Sequence, residues 1–501
     1  MTRTLVFVLL TAMTALGTEE TAVVSSSTTP DKAAAPTFNK DVLPLLQENC
    51  QTCHRPGGIG PMSLLTYENV RPWAKAIKSA VVNKQMPPWF ADSHTGDFRN
   101  APKLTPANIN TLAAWVDNGA PEGSASDKAQ QSPQWSDGWR IQPDVVVEMP
   151  SGYRVPAKGV GEVRQFMIES PFKEDTWVTS IEIRPGDRSV VHHAIVQVVD
   201  SRTAARAVAL SAVAGRVIGA AAEPKGVASN AVFFSGAAPL NNAAPPLRQG
   251  SGSYSDIMAR LEEARTGHGA FMTMEAVYAP GTQPMDFRYN NTAKLIPGGK
   301  PILLEVHYTP NGKETTDRTS VGFTLAKAPA ARQFVMMAPE HLVDTRRPIP
   351  AGDGNYETVG ELTFNQDADL AWFMPHMHLR GKDMTFRLLF PDGREQTVLN
   401  ARFNFHWQLG YELAQPVKVT KGTRMIVTAH HDNSANNPDN PTPGQAVPWG
   451  EMTSQEMMLP WFGVIVDRKA TPDAIATYKP GDMDGPFPAP LGKMVVVGNF
   501  K

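Results

Sequence analysis

Two cysteines and a histidine near the N-terminus form the motif Cys50-Gln51-Thr52-Cys53-His54. Two thiols three residues apart on a helical turn can each add to one vinyl group of a haem, and the adjacent imidazole then reaches the iron. A zinc knuckle would need about four ligands, and a redox dithiol would not require the histidine. Because the chain has only 2 cysteines, the motif predicts one covalent haem c held by Cys50, Cys53 and His54.

The sixth iron ligand is expected to come from the loop that follows this motif, and Met86 is the best candidate. Two prolines follow Met86 directly, and they reduce the entropy lost when a thioether is fixed on iron. A thioether ligand raises the potential of a haem, as an electron carrier requires. Met62 and His94 are alternative ligands, and ordinary core packing is another interpretation of Met86.

Further candidates for metal binding are histidines in the later part of the chain. His376 and His378 are two residues apart, so in a β-strand they share one face and could hold one ion. His192 and His193 are adjacent, so they could hold one ion only where their strand ends or bulges. Imidazoles suit copper, and a thioether selects Cu(I). Alone, each pair is more often hydrogen-bonded or solvated than bound to metal.

The elements around the haem motif are predicted to be short helices. The segment from Phe38 to Gln47 has apolar residues at helical spacing and leads into the motif. Thr105 and Pro106 open a second helix as its N-cap and first residue, and Gly119 ends it. A helix, the haem motif, a loop and a closing helix predict a small all-α class I cytochrome c domain over residues 36–123.

From Trp139 onward the pattern changes to short β-type runs between turn residues, which is typical of β-sandwiches. The predicted strands lie in residues 145–147, 165–168, 177–183, 194–199, 302–307, 370–374, 384–390, 425–429 and 461–466. The expected fold is therefore multidomain, with a small all-α domain followed by two all-β sandwich domains.

The remaining segments are predicted to be a signal, two connections and an insertion. Residues 1–17 combine a basic start, a short apolar run and small residues before the cleavage site, as in a Sec-type signal peptide; an uncleaved anchor is the alternative. Residues 18–35 suggest a flexible tether and residues 124–138 a linker. Residues 202–267, rich in Ala, Gly and Ser, are expected to cover one face of the first sandwich.

Composition excludes several classes of protein. Apolar residues make up 42% of the chain and charged residues 19%, which permits sizeable cores and argues against disorder. A net charge of −2 does not indicate a nucleic-acid binder or a polybasic membrane-surface protein. No later stretch reaches about 18 consecutive apolar residues, so no integral membrane span is expected. We expect the protein in the bacterial periplasm or secreted.

Four pieces of sequence together resemble the copper type II, ascorbate-dependent monooxygenases, which are the peptidylglycine α-hydroxylating and dopamine β-hydroxylating enzymes. The pieces are V-H-H at 191–193, E-V-H-Y at 305–308, H-M-H-L-R-G-K at 376–382 and T-S-Q-E-M at 453–457. They are specific as a group, although no single piece is. The resemblance implies two jelly-roll-like sandwich domains, residues 139–330 and 331–501, with one copper each facing a solvent-filled cleft.

The resemblance also implies the role of each copper. The first would pass on electrons, and the second would bind dioxygen and abstract hydrogen from an unactivated C–H bond, so its ligands would be the catalytic residues. The two would be kept apart so that O₂ meets only one. The implied ligands are His192, His193 and His307 (the first set) and His376, His378 and Met457 (the second set).

The chain departs from this family in two respects. The animal enzymes carry several disulfides in these domains, whereas both cysteines here belong to the haem motif. Those enzymes take electrons from ascorbate, whereas a fused haem raises the effective concentration of a donor and could relay electrons from a periplasmic donor or an ascorbate-like reductant. We expect an exported copper monooxygenase; a periplasmic haem and copper electron-transfer protein without oxygenase activity, or a copper-binding scaffold, is the alternative.

The substrate expectation also follows from the resemblance. The peptide-amidating relatives clamp a carboxylate with an arginine before the His-x-His pair and with an asparagine and a tyrosine after the methionine. The same offsets here give Met374, Leu459 and Trp461, which cannot supply those contacts. A small neutral or hydrophobic substrate is therefore expected near them.

The other histidines have weaker claims to the site. The adjacent pair His430 and His431 could touch the Met457 site, although a surface or hydrogen-bonded pair is the more common arrangement. His268, His341 and His406 are expected to be structural or exposed.

Overall fold

The computed structural model describes residues 35–56, 58–92, 94–127, 138–159, 161–199, 271–288, 291–339, 342, 347–450 and 453–478. The predicted signal peptide, nearly all of the tether, most of the linker and the whole 202–267 insertion lie outside the described residues. The described chain is mostly β-sheet with few helices, as the sequence predicts. None of its described helices has the length and apolar character needed to cross a membrane.

Most helices lie before residue 128. They are α1 (Leu43–Asn49), α2 (Tyr67–Val70), α3 (Ala74–Val82), α4 (Pro106–Asp117) and, much later, α5 (Pro472–Ile475), with a π-helical turn at Phe38–Val42 and 3-10 turns at Arg71–Trp73 and Ala125–Asp127. The predicted helix before the cysteine motif and the predicted closing helix α4 are therefore confirmed.

Local chemistry explains the bounds of α4 and the presence of α3. The Thr105 hydroxyl accepts from the Asn108 backbone N–H and caps α4, and the chain leaves that helix through Gly119 at φ 85°. The sequence predicts only a loop at residues 74–82, but α3 forms there because Ala74, Ile77 and Val81 bury one face against the small helical core.

The remaining described elements are strands. They are β1 (Val145–Glu148), β2 (Tyr153–Val155), β3 (Glu162–Ile168), β4 (Thr176–Arg184), β5 (Val191–Val198), β6 (Phe271–Met274), β7 (Ala276–Tyr278), β8 (Met285–Asp286), β9 (Lys294–Ile296), β10 (Ile302–Tyr308), β11 (Thr315–Asp317), β12 (Ser320–Leu325), β13 (Arg332–Pro339), β14 (Tyr356–Phe364), β15 (Ala368–His376), β16 (Gly381–Leu389), β17 (Glu395–Arg402), β18 (Tyr411–Val419), β19 (Arg424–His431), β20 (Leu459–Asp467) and β21 (Ala476–Tyr478). Every run that the sequence predicts to be extended lies in or overlaps one of them.

The strands form two sandwiches of antiparallel sheets. In the first sandwich, the sheet β1-β12-β4-β8, with β9 beside β4, packs with the sheet β3-β10-β5-β7. In the second, the sheet β18-β15-β20-β13-β6 packs with the sheet β17-β16-β19-β14-β21. A short pair of strands, β2 and β11, lies beside the first sandwich.

One sheet of the second sandwich is buried on both faces. Phe373 and Phe462 point into the core of the second sandwich, whereas Trp372 and Trp461 pack against the first sandwich. This explains why β20 is apolar and buried along almost its whole length instead of alternating. The two sandwiches are therefore connected by a continuous apolar core, which we call the joint. The strand β6 extends this joint, because it precedes β7 of the first sandwich but pairs with β13 of the second.

Candidate metal centre

The first set is held by two paired strands. His193 on β5 lies opposite His307 on β10, but the next residue of β10, Tyr308, pairs with Val191. His192 is therefore the extra residue of a β-bulge, which is the irregularity that lets two adjacent histidines approach the same ion. The candidate ligand atoms of the three histidines lie within 4.8 Å of one another. The structure thus brings together the first predicted set.

In the first set, the hydrogen-bond pattern leaves some ring nitrogens with a lone pair available to a metal ion. The Nε2 atom of His192 lies 2.9 Å from the Phe405 carbonyl oxygen, and because a carbonyl only accepts, Nε2 carries the proton and Nδ1 keeps its lone pair. The Nδ1 atoms of His192 and His193 are buried without a hydrogen-bond partner among the described residues. Buried imidazole nitrogens without a hydrogen-bond partner are donors that a metal ion would satisfy.

In the second set, the two histidine rings are held by hydrogen-bond acceptors that lie outside β15. His376 ends β15, and its Nδ1 lies 2.6 Å from the Gln408 Oε1 atom. The Nδ1 atom of His378 lies 3.2 Å from the Gln455 carbonyl oxygen. Both oxygens accept, so each Nδ1 carries the proton and each Nε2 keeps a lone pair for a metal. The two ring centroids are 5.5 Å apart.

A buried carboxylate connects Met457 to this set. The Glu456 carboxylate accepts from the backbone N–H groups of Arg380 at 2.7 Å, His378 at 3.0 Å and Met457 at 3.3 Å. It thereby fixes the backbone of Met457 beside that of His378. Burial raises the pKa of Glu456 to about 7. Glu456 has no role that the sequence alone predicts; the signal for it is a carboxylate inside the T-S-Q-E-M piece.

Burial keeps the imidazoles of both sets neutral. It lowers the pKa of His192 to about 4 and that of His307 to about 3. It also lowers the pKa values of His193, His376 and His378 below the usual range, and neighbouring imidazoles add to the shifts of His193 and His378. All five rings are therefore uncharged at pH 7, which is the form that binds metal ions.

The two sets adjoin each other at the joint between the sandwiches. The ring centroids of His193 and His376 are 5.8 Å apart, and the Phe405 ring of the second sandwich stacks on His192 at 4.6 Å. This differs from the expected solvent-filled cleft that keeps two metals apart. The cleft is closed because the apolar outer face of the β15–β20 sheet, with Trp372 and Trp461, packs against the first sandwich.

The residues expected to contact substrate lie inside this joint. Met374, Leu459 and Trp461 are only 2%, 8% and 3% exposed and pack in the shared core. Arg380 does not reach them, because its guanidinium donates to Asn440, Thr442 and the Ser454 carbonyl. A more open cavity lies beside Phe405 and is lined by Leu379, Lys382, Phe403, Phe405, Asp432 and Asp439, among others.

Of the other described histidines in the two sandwiches, one is buried beside the second set and two lie nearer the surface. His431 is fully buried, and its Nε2 atom donates to the Met457 carbonyl at 3.3 Å, so it supports the backbone of the second set. His430 instead contacts the Asp383 carboxylate at 2.6 Å. His406 is exposed, 3.5 Å from Asp439. His268 and His341 lie outside the described residues.

The cysteine motif forms a helical turn directly after α1. The backbone N–H groups of Cys53 and His54 both donate to the Cys50 carbonyl. Burial raises the pKa of Cys50 to about 12 and raises that of Cys53, an effect that Arg140 and Arg188 oppose for Cys53. Neither thiol is therefore the activated thiolate of a redox pair.

His54 has the features of a metal ligand. Its Nδ1 atom is buried without a hydrogen-bond partner among the described residues, and a Cβ on Gly60 would approach that atom to 2.5 Å. The ring makes a backbone hydrogen bond with Met62. Met86 follows α3 and is half-buried, with its N–H donating to the Ala80 carbonyl, and His94 is exposed. The unpartnered Nδ1 atom of His54 fits a role as a metal ligand, and Met86 stays a predicted ligand.

Comparison with known proteins adds no family assignment. No protein-family model matches the chain, and no curated protein matches its sequence. The function proposed below therefore depends on the geometry of these residues and on the resemblance of the four sequence pieces.

Proposed function

We propose that this chain is an exported, copper-dependent monooxygenase that hydroxylates a C–H bond of a small neutral or hydrophobic substrate. The overall reaction is R–H + O₂ + 2 e⁻ + 2 H⁺ → R–OH + H₂O, with the electrons supplied through a haem c at Cys50 and Cys53. A periplasmic electron donor or an ascorbate-like reductant would reduce that haem. Export would depend on the predicted signal peptide, residues 1–17.

The observation that carries this proposal is the convergence of five neutral histidines in two adjoining sets. Ring nitrogens in both sets keep a lone pair for a metal, because the opposite nitrogen donates to a carbonyl or because the nitrogen is buried without a partner. Copper bound there would supply one-electron redox chemistry and the activation of dioxygen. His192, His193 and His307 would hold the first ion, and His376, His378 and Met457 the second.

The protein residues would prepare the site in three ways. Burial keeps the imidazoles uncharged and excludes bulk water from them. Gln408 and the Gln455 carbonyl hold the protons of His376 and His378 on Nδ1, so both Nε2 atoms face away from these acceptors. Glu456 fixes the relative positions of the His378 and Met457 backbones.

The test of the proposal measures oxygen and product together. The copper-loaded, haem-reduced protein should consume O₂ in the presence of a neutral C–H substrate and form one hydroxylated product per O₂. His376→Ala should lose both signals, whereas His406→Ala, at an exposed histidine outside the sets, should keep them. Zinc in both sets with no copper exchange, or O₂ uptake without product from any substrate of a broad panel, would overturn the proposal.

The haem has its own test. The denatured chain should keep haem-dependent peroxidase staining on a gel, because thioether bonds survive denaturation, and extraction of the pigment by acid acetone would contradict this. Met86→Ala should lower the reduction potential of the haem, since a thioether ligand raises it. If Met62→Ala has that effect instead, Met62 is the sixth ligand.

A second function is favoured by the closed joint. Met374, Leu459 and Trp461 are packed in the shared core, and the two sets adjoin, an arrangement suited to passing electrons between metals. A haem and copper electron-transfer protein would show reversible reduction of both metals, with no product in the oxygen experiment.

A further inference from the structure

Residues 89–101 of the N-terminal region attach to the second sandwich. They form isolated bridges to one edge strand of each of its two sheets, from Ala91 to Ala401 in β17 and from Phe98 to Leu413 in β18. This stretch begins three residues after Met86, the proposed sixth ligand of the haem. The segment around and after Met86, here called the haem loop, is therefore joined to two sheet edges that would otherwise be open.

An aromatic contact lies at the centre of this attachment. The Trp89 and Tyr411 ring centroids are 5.0 Å apart in an edge-to-face arrangement, and Phe98 lies 5.7 Å from the same tyrosine. Tyr411 pairs with Phe373 on β15, the strand that ends at His376. The haem loop therefore contacts the start of β18 immediately beside the strand that carries the second set.

The 403–410 loop, which connects β17 to β18, contacts both histidine sets. Its Phe405 carbonyl accepts from His192 Nε2 at 2.9 Å, and its Gln408 Oε1 accepts from His376 Nδ1 at 2.6 Å. The Gln408 Nε2 atom also donates to the Phe405 carbonyl at 3.4 Å. A hydrogen-bonded chain thus runs from His192 through Phe405 and Gln408 to His376.

The orientation of the Gln408 amide is fixed by these contacts. Turning the amide over would set its NH₂ against the His376 Nδ1–H and its oxygen against the Phe405 carbonyl, so two attractive contacts would become repulsive. Gln408 is only 2% exposed, and no bulk water competes for these bonds. Gln408 therefore fixes the position of His376 in the second set relative to His192 in the first set.

We propose that the 403–410 loop couples the haem-bearing region to both histidine sets. Trp89 and Tyr411 would form the contact on the haem side, and Gln408 would be the positioning residue on the histidine side. This inference rests on the proposed function, because it assumes that electrons pass from haem to copper. Electron tunnelling falls steeply with distance, so a continuous path through packed rings and hydrogen bonds would be the favoured route.

The test follows the haem absorbance in the full, haem-bearing and Cu(II)-loaded chain, reduced at the haem and mixed without oxygen. We expect wild-type haem to be re-oxidised, and Trp89→Leu to slow this about tenfold, equivalent to about 1.4 kcal/mol on an activation barrier. Trp89→Phe should recover most of the rate because it keeps a ring against Tyr411. Arg99→Met, which removes the Arg99–Glu412 ion pair at the same attachment, is the matched control and should stay close to wild type.

Gln408 is tested in the same experiment. Gln408→Met should slow re-oxidation by a similar factor. Gln408→Glu should restore only part of the rate, because a carboxylate still accepts from His376 Nδ1 but no longer donates to the Phe405 carbonyl. Copper content and haem potential are measured for every variant. We expect both to match wild type in the Trp89 variants, whereas the Gln408 variants, which alter the support of His376, are compared at saturating Cu(II) as a rate per bound copper. Unchanged rates in Trp89→Leu and Gln408→Met would overturn the inference while leaving the proposed function intact. A wild-type haem that copper never re-oxidises would overturn both. A variant rate that falls only in proportion to lost copper would overturn the inference alone.

Discussion

The two histidine sets are built by different means. The first depends on strand register, since His193 faces His307 across a β-ladder and a bulge turns His192 toward them. The second depends on acceptors from distant loops, since Gln408, Gln455 and Glu456 hold His376, His378 and Met457. The first set is therefore placed mainly by the backbone of its own sheet, with one hydrogen bond to the distant Phe405 carbonyl, whereas both histidines of the second set depend on acceptors far from them in sequence.

The largest expected effects come from removing one ligand from each set. Met457→Ala should abolish product formation while the first set keeps its copper, because the two sets share no ligand. His192→Ala should instead remove copper from the first set and lower product formation, while the second set stays loaded. Copper per chain and product are measured for both variants, and loss of both coppers from either one would show that the sets form a single, inseparable site.

Glu456→Gln tests how strongly the second set depends on its support. The glutamine offers one acceptor oxygen where the carboxylate offers two, so a buried backbone N–H loses its partner at a cost of about 1–3 kcal/mol. We expect lower thermal stability and weaker copper binding in the second set only. The control is Glu361→Gln, which breaks an exposed pair with Arg424 and should cost less than about 1 kcal/mol.

Acid should weaken the metal-free protein through the histidines of both sets. The unfolded chain takes up protons near pH 6.5, whereas folded His192 does so only near pH 4 and His307 near pH 3. Their contribution to stability is therefore lost as the pH falls from about 6.5 toward 4. Glu456, whose pKa is raised to about 7, acts in the opposite direction between about pH 7 and pH 4.5.

Thermal melts at pH 7 and pH 5, with chelator or with copper, measure this effect. Copper competes with protons for the same nitrogens, so the loaded protein should lose less stability than the metal-free protein. An equal or larger loss in the copper-loaded protein would contradict the assignment of these histidines as ligands.

The smallest effect is expected for Gly161→Ala, beside the first set. A Cβ at this position would approach the His307 Nε2 atom to 3.0 Å and the Tyr308 carbonyl oxygen to 3.1 Å. The histidine must shift slightly, so copper affinity should fall by about tenfold at most, in the first set alone. Gly444→Ala, where a Cβ would meet nothing within 4 Å, is the control. A larger change in copper affinity in this control than in Gly161→Ala would contradict the explanation by contact with His307.

The sequence predicts local features well and distant contacts poorly. The adjacency of His192 and His193 already requires a bulge if they share an ion, and the structure has it. The continuous apolar run of β20 signals burial on both faces, but it does not say that the first sandwich covers one of them. Contacts such as His192 with Phe405 join residues 213 positions apart, and no local pattern encodes them.

The most direct measurement is the electron paramagnetic resonance spectrum of the chain loaded with two Cu(II) ions. Adjoining sets, with the His193 and His376 rings 5.8 Å apart, predict two coppers per chain with spectra broadened by mutual magnetic interaction. His376→Ala should then leave one sharp, isolated signal from the first set. A wild-type chain that binds one copper or none, or two coppers with sharp and independent spectra, would contradict a metal centre built from two adjoining histidine sets.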